Sequence, residues 1–152
     1  MPSRRDQIAM TDDELHAFLA EHRVVSVATI GPRGRPHLVP LWYSPEGTVM
    51  RTWTYAKSQK AKNLERDPRA TLQVEDGELY HELRGAMLEC DVDIEREPAE
   101  VAKYGVALFE RFGHVGRDAQ VMIEAQAAKR VGLTFRPTRI VSWDHRKLGG
   151  TY

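Results

Sequence analysis

The sequence has little of the residue types that build disulfide frameworks, metal clusters and membrane spans. Its 152 residues include one cysteine, Cys90, so neither an internal disulfide nor a thiolate cluster for zinc or iron–sulfur can form. No run approaches the roughly 18 to 20 apolar residues of a membrane-spanning helix. Residues 1–7 have no apolar run after their arginines, which is not the pattern of a signal peptide. We therefore expect a cytoplasmic protein in a reducing compartment, with no membrane partner.

The chain also lacks an excess of charge of one sign. Lysine plus arginine and aspartate plus glutamate each number 22, so the formal net charge is zero with neutral histidines. A general nucleic-acid binder usually carries a strong basic excess that neutralises phosphates. The charge balance therefore argues against a nucleic-acid partner.

The histidines show no spacing that is typical of metal ligands. There are six in the chain, and no two of them stand four residues apart, as ligands on one helix face would. We therefore expect no metal site. His81, which precedes Glu82, is a candidate proton donor, and a plain surface or interface histidine is the alternative.

The composition is that of one globular domain. With 152 residues, of which 41% are hydrophobic and 29% charged, the chain is long enough to bury a core of ordinary size. It contains no internal repeat and no low-complexity segment. We expect a single domain over residues 1–152.

Hydrophobic periodicity and turn residues predict where helices and strands lie. Thr11 and Glu14 form a capping-box pattern at the start of the first helix. Pro40 lies inside a predicted strand and implies a bulge or a sheet edge, because proline cannot donate to the ladder. The predicted helices span 11–22, 58–66, 97–112 and 118–129; the predicted strands span 24–30, 36–43, 48–55, 70–75, 79–94 (one bent strand or two short ones) and 131–143 (interrupted at Arg136-Pro137); turns are predicted at 31–34 and 44–47, a break at 113–116 and an irregular tail from 144.

This order of elements predicts the fold class. Successive strands joined by short turns form antiparallel hairpins. Six or so such strands can satisfy their edges by closing into a barrel. The residues alone therefore predict an α+β protein built on a small antiparallel barrel.

The most informative segment follows the third predicted strand. Lys57, Ser58, Lys60 and Asn63 lie within the first turns of a short predicted helix. Backbone N–H groups at a helix start are unpaired and carry partial positive charge, so anions bind there. Lys60 and Asn63 are three residues apart and share one helix face. The segment predicts a phosphate pocket, and an ordinary solvated helix face is the alternative.

Four stretches together resemble a known family. They are strand 24–30, Gly34-Arg35-Pro36, residues 40–43 and, above all, 60–70 with the sequence KAKNLERDPRA. Over residues 11–143 the chain resembles the split β-barrel flavin and deazaflavin oxidoreductases, which are relatives of pyridoxamine 5′-phosphate oxidase. It is most similar to the actinobacterial branch that uses coenzyme F420, a deazaflavin with a phospholactyl-oligoglutamate tail. The resemblance implies a split antiparallel β-barrel with peripheral helices, and a homodimer with cofactor sites at the subunit interface.

The resemblance also implies which residues bind the cofactor. Lys60 matches the phosphate-binding lysine of the family and Asn63 the asparagine beside it, while Thr54 matches a hydroxyl that faces the phosphate. Lys57 and Ser58 lie where relatives place further anion contacts, often an arginine. The strand that lies against the ring system is matched by Val39, Pro40 and Leu41. For Asn63 and Thr54, ordinary structural roles are the alternatives. No catalytic side chain is implied.

Three functions remain open from the sequence. The first is an F420-dependent oxidoreductase that transfers a hydride from the reduced deazaflavin to a small conjugated or heteroaromatic substrate. The second is an FMN-dependent oxidase or reductase of the same fold, since FMN also ends in a phosphate. The third is a non-catalytic protein that binds or stores F420. The basic tail residues Arg146 and Lys147 are further candidates for contacts with the glutamates, with a frayed terminus as the alternative.

Overall fold

The computed structural model describes residues 1–113 and 116–150, and within them one antiparallel sheet is surrounded by helices. The helices are α1 (Arg4–Ile8), α2 (Asp12–Glu21), α3 (Gln59–Arg66), α4 (Pro98–Arg111) and α5 (Arg117–Ala127). The strands are β1 (Val24–Ile30), β2 (Pro36–Trp42), β3 (Ser44–Glu46), β4 (Val49–Tyr55), β5 (Arg69–Asp76), β6 (Arg84–Glu95) and β7 (Arg130–Asp144). Short 3₁₀ turns cover Tyr80–Glu82 and His145–Leu148.

The sheet curls into a barrel that stays open on one side. Its strand order is β2-β1-β5-β6-β7-β4-β3, and every neighbouring pair is antiparallel. β2 and β3 are therefore the two edge strands. The Thr52 hydroxyl donates to the Trp42 carbonyl over 2.7 Å, so β4 and the end of β2 touch across the opening. The predicted α+β fold, a split antiparallel barrel with peripheral helices, is confirmed.

The core lies inside the curl, where alternate residues of each strand point inward. β5 shows this alternation most clearly, with Ala70, Leu72 and Val74 at most 5% exposed. Cys90 on β6 belongs to the same core, and its burial raises the pKa of the thiol to about 12. A second, smaller core packs α4 and α5 against the outer side of Trp53.

Several local predictions are confirmed in detail. β1 spans 24–30 as predicted. The Thr11 hydroxyl accepts from the Glu14 backbone N–H, and the Glu14 carboxylate accepts from the Thr11 N–H, which completes the capping box. Pro40 pairs with Ser26 in an unbroken register on edge strand β2, so the edge alternative is correct and the bulge is absent. Proline fits there because its missing N–H faces away from the ladder.

Other local predictions are wrong, mostly where turn residues mislead. Residues 44–46 form strand β3 rather than a turn, and Pro45 is tolerated because β3 is also an edge. β7 runs through Arg136-Pro137 without interruption. Its pairing with β6 shifts register between Glu89 and Cys90, and this irregularity accommodates the proline. Segment 79–94 divides into a 3₁₀ turn and β6, and α1 has no counterpart among the predictions. The predicted break at 113–116 includes residues 114–115, which lie outside the described residues.

None of the described helices is long and apolar enough to pass through a membrane.

Candidate functional site

The opening of the barrel forms an apolar cavity, which we call the β2–β4 cleft. Its volume is about 540 Å³. One wall is the end of edge strand β2, the opposite wall is β4, and α4 covers it from above. The residues that line it are Val24, Pro40, Leu41, Trp42, Thr52, Trp53 and Leu108. β2 and β4 are not neighbours in the sheet, and apart from the Thr52–Trp42 hydrogen bond the walls are apolar, as a site for a flat ring system requires.

The end of α4 fixes the Trp42 wall of the cleft. The Trp42 and Phe112 rings stack with centroids 4.0 Å apart. Arg111, the residue before Phe112, donates to the carbonyls of Ala20 over 2.8 Å and His22 over 2.7 Å, and also to the Tyr43 carbonyl. These bonds tie α4 to the chain just before β1 and just after β2, so the position of Phe112 against Trp42 is held by the backbone.

The start of α3 lies just beyond the end of β4. Ser58 is its N-cap, and the Ser58 hydroxyl accepts from the Ala61 N–H over 3.3 Å. The Lys57 side chain before it is exposed, and Lys60 is half-buried in the first turn. The chain therefore places two cations and the free N–H groups of a helix start in one short stretch.

Lys60 has a neighbour that the sequence analysis missed, Arg130. Burial lowers the pKa of the Lys60 amine, and the positive charge of Arg130 lowers it further. The Arg130 guanidinium lies 4.1 Å from the Tyr55 ring centre and 4.8 Å from that of Trp53, and its Nε is buried without a hydrogen-bond partner. Among the described residues neither Lys60 nor Arg130 has a carboxylate partner. Two adjacent cations without an anion are a ready site for one.

Asn63 is placed differently from the cations. It is fully buried, and its amide donates to the Thr29 hydroxyl over 3.0 Å and accepts from the Gln59 amide over 2.7 Å. These bonds attach α3 to β1 beneath the helix start. The Asn63 side chain thus orients the first turn that carries Lys60.

The remaining predicted residues border the cleft or lie close to it. Thr54 is 4% exposed on β4, two residues after Thr52. Pro40 and Leu41 line the cleft, and half-buried Val39 precedes them on β2. Of the predicted residues, Pro40 and Leu41 thus line the cleft, while Thr54 belongs to β4, the strand that leads to the start of α3.

Three other candidates lie at the opposite end of β7. Arg146 Nε and a terminal nitrogen donate to the two oxygens of buried Asp144, over 2.9 and 2.7 Å. Lys147 donates to the Ala9 carbonyl and the Glu14 carboxylate, so this tail is docked rather than frayed. His81 lies near the same end in the 3₁₀ turn Tyr80–Glu82 and is half exposed. In the described part of the chain none of the three lines the cleft, and their carboxylate neighbours are Asp144, Glu14 and Glu82 rather than groups at the start of α3.

Potential metal ligands do not gather in the structure. In residues 1–113 and 116–150, no three histidine, cysteine, aspartate or glutamate side chains come together as a metal site.

Comparisons with known proteins agree with this architecture. The pyridoxamine 5′-phosphate oxidase family matches residues 11–144. A conserved hypothetical protein from Mycobacterium tuberculosis is 39% identical, with a TM-score of 0.90 over 99% of this chain and 95% of that one. Among curated proteins no match is found.

Two more distant structures share the fold. One is named an F420 reductase and is 22% identical, with a TM-score of 0.63 over 92% of this chain and 98% of that one. The other is a FAD-binding protein from Mesorhizobium loti, 14% identical, with a TM-score of 0.67 over 88% of this chain and 94% of that one. The family match covers nearly the whole barrel and its covering helices, and the chain therefore belongs to the pyridoxamine 5′-phosphate oxidase family of split-barrel flavin and deazaflavin proteins.

Proposed function

We propose that this protein is an oxidoreductase that uses coenzyme F420 to reduce a small conjugated or heteroaromatic compound. The observation that carries the proposal is that Trp53, which lines the apolar β2–β4 cleft, has the guanidinium of Arg130 4.8 Å from its ring centre, and Arg130 in turn lies beside Lys60. A tricyclic redox cofactor with a phosphate arm has a matching arrangement, with an apolar ring system at one end and an anion at the other. The F420 reductase of related fold supports the choice of cofactor.

The residues present fit such a cofactor. Trp42, Trp53 and Leu108 give the cleft apolar walls, which is what a flat ring system requires. At the other end, the buried Arg130 Nε has no partner, and an anion beside Lys60 would satisfy it. A phosphate needs convergent N–H donors and one or two fixed cations. Lys57, the free N–H groups of α3 and the Lys60–Arg130 pair supply both.

The protein's own part in the reaction is to bind, orient and exclude water. The reduced deazaflavin supplies the hydride from its own ring when it is bound. Lys60 and Arg130 would hold its phosphate next to Trp53 of the cleft wall. Trp42, held by Phe112, and Trp53 set the width of the cleft and keep water from its walls. The backbone of Val39, Pro40 and Leu41 would supply one wall for the ring system.

The proposed assembly is a homodimer with the cofactor sites at the subunit interface. The outward face of β1 and β2 carries exposed apolar side chains, with Val24 49%, Leu38 68% and Trp42 52% exposed. A second copy would cover them, as expected for this family, and would close the cleft from outside. Sedimentation of the purified protein tests this, and a monomer at micromolar concentration would contradict it.

The experiment that tests the proposal is a titration with F420 and FMN side by side. Purified protein, stripped of any bound flavin, is titrated with each cofactor while tryptophan fluorescence is followed, since Trp42 and Trp53 line the cleft. We expect F420 to bind at micromolar concentration or below. Absence of F420 binding at high concentration would refute the proposal.

FMN is the second candidate cofactor, because the cation pair serves any phosphate and FAD is bound by a protein of the same fold. Yellow protein on purification, with FMN binding tighter than F420, would favour an FMN-dependent oxidase or reductase. Binding of F420 without turnover of any nitro, enone or quinone substrate would favour a binding or storage protein.

A further inference from the structure

A second cavity lies at the other end of β2, and we call it the hairpin cavity. Its volume is about 460 Å³. Its lining residues are Gly31, Pro32, Arg33, Arg35, Pro36, His37 and Gln59. Strand β2 thus borders the hairpin cavity with its first residues and the β2–β4 cleft with its last. At about 3.3 Å per residue, His37 lies roughly 10 to 16 Å along the strand from Pro40 and Trp42.

The hairpin cavity has the chemistry of an anion site. Arg33 and Arg35 are exposed, and neither has an ion-pair partner among the described residues. The Nδ1 atom of His37 is buried there without a hydrogen-bond partner. Carboxylates and phosphates are the groups that guanidinium forks recognise best.

The backbone of the β1–β2 turn holds these arginines in place. The Gly31 N–H donates to the Arg35 carbonyl over 2.8 Å, and a Cβ on Gly31 would lie only 2.7 Å from that oxygen. Gly34 has a φ of +80°, which only glycine adopts readily. The turn is therefore tight, and it keeps Arg33 and Arg35 on the same cavity as Gln59, the first residue of α3.

We propose that the hairpin cavity is a subsite for a second anionic group of the cofactor, beyond the phosphate held by Lys60 and Arg130. The inference rests on the proposed function, because the same cofactor occupies both cavities. Two sources have the required chemistry: the carboxylates of a glutamyl tail, and the second phosphate of a dinucleotide such as FAD. FMN ends at its phosphate and leaves the subsite empty.

The test compares four ligands on one pair of variants. The double variant Arg33→Ala/Arg35→Ala is titrated with FMN, FAD, F420 carrying several glutamates, and the same deazaflavin without glutamates. We expect about tenfold weaker binding of one extended ligand, the loss of roughly one charge-assisted contact, with FMN and the glutamate-free deazaflavin unchanged. Loss confined to glutamylated F420 identifies the tail, and loss confined to FAD identifies the second phosphate.

The matched control is Arg4→Ala/Arg5→Ala, which removes the same charge from exposed helix α1 and should leave all affinities unchanged. Thermal unfolding checks that each variant folds, and Arg33→Lys/Arg35→Lys should restore part of the lost affinity. If the wild-type protein binds its cofactor and the hairpin variant binds every ligand equally well, the subsite is refuted and the proposed function stands. If the wild-type protein binds none of the four ligands, the proposed function fails and the subsite with it.

Discussion

Basic side chains at the two ends of β7 differ in whether a carboxylate pairs with them. At its C-terminal end Arg146 pairs with Asp144, Lys147 with Glu14, and Arg84 with Asp76 over 2.8 Å. At its N-terminal end Arg130 lies beside Lys60, and neither has a carboxylate partner in the part of the chain that the structure describes.

This difference separates charges that are paired within the fold from charges that, on the proposed function, bind the cofactor. The paired end joins both termini to the barrel, since the Lys147 amine also donates to the Ala9 carbonyl. At the unpaired end, burial and a like charge work against Lys60, which is a cost that a bound anion would reverse. Basic residues at the two ends are equally prominent in the sequence, and only their surroundings distinguish them.

The largest effect is expected from Asp144→Ala at the paired end. The carboxylate is 5% exposed and accepts bonds from Arg146 N, Nε and a terminal nitrogen. Its removal should lower the free energy of unfolding by about 3 kcal/mol, because a buried charged hydrogen-bond group is lost. Cofactor affinity should not change. Urea unfolding and a cofactor titration on the same sample measure both quantities.

The matched control for that variant is Asp93→Ala. Asp93 also pairs with an arginine, Arg136, but its side chain is 65% exposed. An exposed pair contributes less than about 1 kcal/mol. Equal losses in the two variants would show that burial does not distinguish the paired end.

The next effect is expected at the unpaired end from Lys60→Ala. The affinity for the cofactor should weaken by about 1 to 3 kcal/mol, the loss of a charge-assisted hydrogen bond. The free energy of unfolding should rise slightly, because a partly buried charge beside Arg130 is removed. Lys62→Ala is the control, because Lys62 lies on the same helix, is more exposed and contacts Glu65 over 3.6 Å. Equal affinities of the two variants would mean that Lys60 is an ordinary surface charge.

Arg130→Gln tests the unpaired end of β7 a second time, with a smaller expected effect on cofactor affinity. We expect affinity for the phosphate-bearing cofactor to fall by about 1 kcal/mol, because one of two cations is removed. The pKa of Lys60 should rise, since the charge of Arg130 now lowers it. Tryptophan emission should also shift, because the guanidinium leaves the face of Trp53. Unchanged emission together with unchanged affinity would contradict the placement of Arg130.

The smallest effects are the opposite pH dependences of the two ends. Hydrogen bonds from Arg84 and Arg146 lower the pKa values of Asp76 and Asp144 below the ordinary 3.8. Their stabilisation is therefore complete above pH 3.8 and is lost as the pH falls below it. Lys60 has a pKa below its ordinary 10.5, so its charged form destabilises the folded state until the pH rises towards 10.5. The small stability gained in Lys60→Ala should accordingly shrink as the pH approaches 10.5 and vanish above it, as unfolding measured from pH 3 to above pH 10.5 would show.

Local sequence signals predicted the elements that depend on local physics. The capping box at Thr11 and the β-branched run 24–30 appear in the structure where they were expected. Turn signals failed at Pro45 and Pro137, because the tolerance of a proline depends on whether its strand is an edge or carries a register shift. That information lies in the sheet order, which no single segment contains.

The candidate site likewise contains residues that the local sequence could predict and residues that only the folded structure brings in. The segment from Lys57 to Asn63 was visible because its residues are consecutive. Arg130 was missed because it reaches Lys60 only through the pairing of Tyr55 with Arg130 across β4 and β7. The burial of Asn63 could not be predicted either, since its partner Thr29 belongs to a distant strand. Paired basic residues, such as Arg146, have the same sequence appearance as unpaired ones.

The single thiol of the chain offers a practical opportunity. Cys90 is 3% exposed, and at a pKa of about 12 it is almost entirely protonated at neutral pH. Maleimide dyes and spin labels would therefore leave the native side chain untouched. A cysteine introduced at an exposed position such as Lys62 or Lys103 would carry the reactive label, so distances between probes can be measured without first removing Cys90 from the barrel.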